Sequence, residues 1–305
     1  MSSWIERLGC GIRSLGFFGQ TPNKNSKYFH SCATKRYRKN QIVGIRDEQH
    51  GWKVQPEEIS LVLTEYYRNL FSSSRSSSSN GVLAHVPQVI TDKMNASLTS
   101  EFMKSEVVVA LQQMAPLKVP GSDEMPPLFF QHFWSTVDKD VTSSILSWLN
   151  LGILPHPIDH TFITLIPKTN NPEYVHQYRL ISLCNVLYKI FSKVLANCLK
   201  TLLPTIITEH QLAFTKDKLI SDNILVTLET LHCMHKHNSG TLKFMALKLD
   251  MSKTYDRVEW AFLEDLIRKM GFNERWINLT MICVKTITYS ILVNGELSHT
   301  SLKRN

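Results

Sequence analysis

The run LKLDMSKTYDRVEW at 247–260 has the residue types and spacing best suited to chemistry. An apolar strand there delivers Asp250 at its end, and Asp256 lies six residues further on. A carboxylate at a strand end can hold Mg²⁺, which takes one or two carboxylates together with phosphate oxygens and water. The competing reading makes Asp250 a helix N-cap and Asp256 a surface partner of Arg257. Two cations lie upstream, Lys168 directly after the strand TLIP and Arg179 within QYRLISLCN. An arginine there grips a triphosphate bidentately and a lysine meets it as a point charge, unless both are ordinary surface cations. Farther upstream, Lys35, Arg36, Arg38 and Lys39 sit among Tyr28, Phe29 and Tyr37. Rings beside cations suit nucleic acid, since a ring stacks on a base while the cations meet phosphates; a solvated basic face is the alternative.

Other constellations fall away. His232, Cys233, His235 and His237 crowd one helix end without the spacing of a tetrahedral site. Gly9, Gly11 and Gly16 follow no strand, and neither a P-loop nor a G-x-S-x-G elbow is present. Six scattered cysteines with no C-x-x-C exclude a disulfide framework and a zinc ribbon, and fit a reducing, intracellular compartment. No apolar run is long enough to cross a bilayer, and the first residues do not form a secretory signal. The 305 residues, 43% of them hydrophobic, are enough for a large core. The net charge of +8 is concentrated, because the first 55 residues hold ten basic groups against three acidic ones. That placement points to a polyanionic partner.

The elements that must position these residues follow from periodicity. Residues 22–55 read as an irregular basic region, and 57–71, after Pro56, as a helix with Ile59, Val62, Leu63, Tyr66 and Leu70 on one side. Serine fills seven of the nine positions 72–80, a linker composition. Helices are expected over 101–115, 138–151, 183–203, 221–235, 258–270 and 273–286. Loop 118–127 is held by prolines and a glycine, and Thr161–Ile166 alternates as a strand. Phe244–Leu249 reads as a buried strand, and Asn294-Gly295 as a type I′ hairpin turn.

Taken in order, these pieces resemble the reverse transcriptase of plant LINE-type (non-LTR) retrotransposons. The blocks that carry the resemblance are LTSEF (98–102), LKVPGSDEMPPLFFQHFW (117–134), TLIPKTNNPEYVHQYRLISLCNVLYKIFSKVLANCLK (164–200), ITEHQLAF (207–214), LISDNILVTLETLH (219–232), MALKLDMSKTYDRVEW (245–260) and LVNGE (292–296). NSKYFHSCATKRYRKNQI is similar to the segment preceding the polymerase in such elements. The resemblance implies an α+β fold, the fingers and partial palm of a right-hand polymerase. Residues 1–21 stay unassigned, 22–71 form the basic region and helix, 72–89 the Ser-rich linker, and 90–305 the fingers and first part of the palm.

It also implies roles. Asp250, with the carbonyl of Met251, holds catalytic Mg²⁺, and Tyr255 packs under the incoming sugar. Lys168 and Arg179 hold the triphosphate, while Lys118 and Asp123 belong to a K-x-P-G-x-D loop near template and nucleotide. The partners are an RNA template, a DNA primer and deoxynucleoside triphosphates; the site of action is the nucleus, and no oligomeric state is implied. This sequence departs from the family at Leu180, where a proline is expected, at Glu124, where a glycine is, and at Thr254, where an alanine is. It contains no Asp-Asp pair. The expectation is a reverse transcriptase truncated before that motif and inactive alone, against two alternatives, a non-catalytic RNA-binding module and a non-functional relic.

Overall fold

Neither proline nor glycine interrupts residues 27–40, and there the basic stretch folds as helix α1 (Lys27–Asn40), where an irregular segment is expected from the sequence. Arg38 and Lys39 in its last turn complement the helix dipole. The computed structural model describes residues 27–73, 79–208, 210–211, 215, 218–236, 245–249 and 253–303. Gly9, Gly11, Gly16 and the unassigned segment 1–21 lie outside the described residues, as do 74–78 of the Ser-rich linker.

A short hairpin, β1 (Ile45–Arg46) and β2 (Trp52–Lys53), leads into α2 (Pro56–Phe71). Then come α3 (Ser79–Leu83) and α4 (Asp92–Leu98), whose Thr91 hydroxyl accepts the Met94 N–H. Helices α5 (Lys104–Gln112), α6 (Pro127–His132) and α7 (Trp134–Leu151) follow, the last ended by Gly152 at φ 64°. Strands β3 (Thr161–Pro167) and β4 (Tyr178–Cys184) precede α8 (Val186–Lys200) and the single turn α9 (Leu203–Ile206). Helices α10 (Ile220–Lys236), α11 (Trp260–Lys269) and α12 (Glu274–Lys285) lead to β5 (Thr288–Val293) and β6 (Glu296–Lys303). Gly271 at φ 94° divides α11 from α12, and Asn294-Gly295 turn at φ 53° and 96°, as a type I′ turn requires.

The sheet runs β4-β3-β5-β6, antiparallel except for the parallel β3–β5 pair. Strand parity sends Ile163 and Leu165 to one face, where Ile59, Leu63, Tyr67 and Phe71 of α2 meet them with Ile291, Val293 and Leu302. A second core joins α5, α7, α8 and α12 through Val107, Leu111, Ile145, Leu149, Phe191 and Trp276. The fold is mixed α+β.

Two expectations are corrected. The apolar run 183–203 is a helix only from Val186, because Tyr178–Cys184 pairs with β3 over its whole length. Residues 245–249 form no strand, and Met245, Leu247 and Leu249 are exposed. An apolar strand is buried only when a ladder neighbour and a covering layer are present, and the described sheet supplies neither to this segment. Helix α10 likewise leaves Leu225, Val226 and Leu228 exposed.

Candidate nucleotide and nucleic-acid site

The β3–β4 ladder places the two upstream cations. Ile166 pairs with Arg179, and the Lys168 N–H continues the ladder by donating to the Gln177 carbonyl at 2.8 Å. Directly opposed residues share a face, so Lys168 and Arg179 both project from the side of the sheet away from α2. Both are exposed. The Lys168 Nζ donates to the His176 carbonyl at 2.8 Å, which fixes its stem along the strand end. Leu180, on the edge strand β4, faces the other way, into the α2 core.

The same outward face continues to the Phe162–Leu183 pair, four residues and about 13 Å along β4 from Arg179. There it meets the loop holding Lys118 and Asp123. Gly121 lies so close to the head of α8 that a Cβ would stand 2.2 Å from Asn185 Oδ1 and 2.5 Å from the Cys184 carbonyl carbon. Only glycine fits this approach. Asn185 occupies the N-cap position of α8, yet its side chain serves the loop. Its Oδ1 accepts from Ser122 Oγ and the Asp123 N–H, each at 3.2 Å, while its Nδ2 donates to the Ile158 carbonyl at 3.1 Å. From the next turn of α8, the Lys189 Nζ donates to the Val119 carbonyl at 3.1 Å.

These contacts set the local electrostatics. Burial raises the Asp123 carboxyl above its usual range, opposed by the Met125 and Val186 N–H groups and by Lys189. Burial also holds the Lys189 ammonium low; nearby Lys118 adds to this, and Cys184 and Asp123 oppose it. Lys118 itself is exposed. Asn185 and Lys189 were not legible as site residues. An Asn at a strand–helix junction reads as a cap, and nothing local says that its partner is a loop more than sixty residues upstream.

The nucleic-acid candidates lie on α1, which packs against β3. Lys35, Arg38 and Lys39 are exposed at helical i, i+3, i+4 spacing, and Arg36 is half-buried. Just beyond α1, the Ile42 N–H donates to Asn294 Oδ1 at 2.8 Å and Asn294 Nδ2 donates back to the Ile42 carbonyl at 3.0 Å. This reciprocal pair ties α1 to the β5–β6 turn.

Asp250 and Met251 lie outside the described residues. Just after them, a 3₁₀ turn (Thr254–Arg257) carries Tyr255, which is exposed. The turn is attached to α2 through Lys253, at φ 52°, whose Nζ stands 4.5 Å from the Tyr66 ring centroid and 5.4 Å from that of Tyr67. Among the described residues no three His, Cys, Asp or Glu side chains converge on a metal position. That applies also to His232, Cys233 and His235 on α10; His237 lies outside the described residues. The described residues therefore do not by themselves fit a two-metal centre. Among them, too, no helix is long and apolar enough to cross a membrane.

Comparison with known proteins adds a family. Residues 166–303 match the family described as reverse transcriptase (RNA-dependent DNA polymerase), a range that holds Lys168, Arg179, Asp250 and Tyr255. Over 278 residues, 90% of this chain and 21% of the relative, the sequence is 24% identical to the Transposon TX1 uncharacterized 149 kDa protein of Xenopus laevis. Over 210 residues, 69% of this chain and 18% of the relative, it is 24% identical to the Retrovirus-related Pol polyprotein from type-2 retrotransposable element R2DM of Drosophila melanogaster. The chain thus spans about a fifth of the length of these curated relatives.

Proposed function

We propose that this chain is a reverse transcriptase segment of a non-LTR retrotransposon, a reading supported by the family match over residues 166–303 and by the two transposon relatives, and that its outward β3–β4 face binds deoxynucleoside triphosphate and RNA template. One observation carries the reading: Lys168 and Arg179 share a strand face that leads directly to the loop of Lys118 and Asp123. Arg179 supplies a planar fork for phosphate oxygens, and Lys168 a point charge whose stem is already oriented. Lys118 and the α1 cations Lys35, Arg36, Arg38 and Lys39 meet template phosphates, and Asp123 orders the loop beneath.

Asp250 and the Met251 carbonyl as Mg²⁺ ligands, and Tyr255 as the residue under the sugar, belong to the same proposal. Bound Mg²⁺ would stabilise the oxygens of an in-line attack by a DNA primer 3′-OH. In this reading the natural setting of that reaction is the nucleus. These 305 residues contain no adjacent Asp-Asp pair, so we propose nucleotide and RNA binding, without primer extension, as the activity of this chain by itself.

Photocrosslinking of the chain with an azido-deoxynucleoside triphosphate tests this. Lys168→Ala and Arg179→Ala should each lower labelling at least tenfold, since a charge-assisted contact is worth about 1.5–3 kcal/mol. Lys93→Ala, on α4, should leave labelling unchanged. Labelling that persists in both β3–β4 variants removes the proposal.

A further inference from the structure

A cleft of about 590 Å³ opens between the 119–126 loop, α6 and the outward sheet face. Its walls include Phe129, His132, Phe133, Phe162 and Leu183, and the one carboxylate lining it is Glu124. The rings form an array: Phe129 and Phe133 centroids are 5.3 Å apart at 49°, and His132 meets Phe133 edge-on at 4.8 Å. Phe133 remains 48% exposed, and Leu128, which also lines the cleft, is exposed. An exposed apolar patch of this kind marks a binding surface.

We propose that this cleft is a pocket for one unpaired base of a single-stranded RNA. The proposal rests on the nucleic-acid reading above and gives it a subsite. Three features select a base over an apolar peptide. Aromatic faces accept any nucleobase by stacking. The approach along the sheet is cationic, through Lys168 and Arg179, with Lys118 on the loop side, so the strand's phosphates have partners while its base enters. Glu124 places a hydrogen-bond acceptor among apolar walls, which suits the exocyclic amino group of adenine, cytosine or guanine, whereas uracil has no amino group and offers only its ring N3–H.

The test is fluorescence titration of the 305-residue chain with short single-stranded RNAs carrying 2-aminopurine at one position, repeated over a range of salt. Binding should alter 2-aminopurine emission. Phe133→Ala should weaken binding roughly tenfold, the value of one stacked base, without changing the slope of log affinity against log salt, because the phosphate contacts remain. Phe133→Trp, which keeps a stacking face, should bind like the native chain. An abasic site at the probe position should weaken binding to the native chain and not to Phe133→Ala. Glu124→Ala, which keeps the same backbone strain, should abolish a several-fold preference for amino-bearing bases over uracil.

Undiminished affinity in Phe133→Ala overturns the pocket, and so does an equal loss in the Ala and Trp variants. A native chain that binds no RNA overturns the nucleic-acid reading itself.

Discussion

Glu124 adopts φ 57°, in the left-handed region that side chains with a Cβ avoid. The resemblance implies glycine at this position, so the departure was legible, but its cost became visible only with the backbone. Glu124→Gly should raise unfolding free energy by about 1 kcal/mol, read as a shifted denaturant midpoint at unchanged slope. His160 is a second residue whose meaning depends on distant structure. Its Nδ1 lies 2.8 Å from Thr288 Oγ1, across the β3–β5 junction. Burial, with His156 nearby, holds its imidazole below the ordinary value, and Asp159 opposes the shift. A depressed folded-state value means that the unfolded chain takes up the proton first. The His160 contribution is therefore present above the unfolded value of 6.5 and is lost as pH falls below it toward the folded value. Denaturant midpoints measured between pH 5 and 7.5 should fall less steeply toward acid in His160→Asn than in the native chain.

Among the elements, α2 shows what periodicity gives and withholds. The apolar stripe predicted a helix over 57–71, and the helix spans Pro56–Phe71. The stripe did not say what it covers, which is the sheet formed by β3, β5 and β6. Tyr67 is fully buried there, between Phe71 and the strands. Tyr67→Ala should cost about 3–5 kcal/mol, and far-ultraviolet circular dichroism should show the strands melting with the helix. A sheet that keeps its native midpoint in this variant would show that α2 is only an appendage. Strand β4 was missed for a related reason. YRLISLC runs into the apolar face of α8 without a break in hydrophobicity, and only pairing with β3 separates strand from helix.

Across the whole molecule, legibility tracks sequence distance. Turns and caps were readable because their causes are local: Gly152, Gly271 and Asn294-Gly295 all appear where expected. For the candidate site, the sequence pointed to the cations and the loop as candidates and gave no sign of Asn185 and Lys189, which hold that loop from afar. The apolar pattern at 244–249 predicted a buried strand, and Met245, Leu247 and Leu249 are exposed. Burial there is set by what packs alongside, a property no single segment encodes.

The parallel pairing of β3 with β5 has a consequence for biosynthesis. His160 and Thr288, at the foot of that pair, are 128 residues apart. At about 5–20 residues per second, a ribosome that has released β3 needs roughly 6 to 25 s more to deliver its neighbour. Through that interval one edge of β3 is without its native partner and the apolar stripe of α2 has only part of its covering surface, the conditions under which nascent chains recruit chaperones or find wrong partners. The helical core completed by α12 waits almost as long. The sheet thus cannot close until β5 has emerged, and the β3–β4 hairpin is the element most in need of protection on the way.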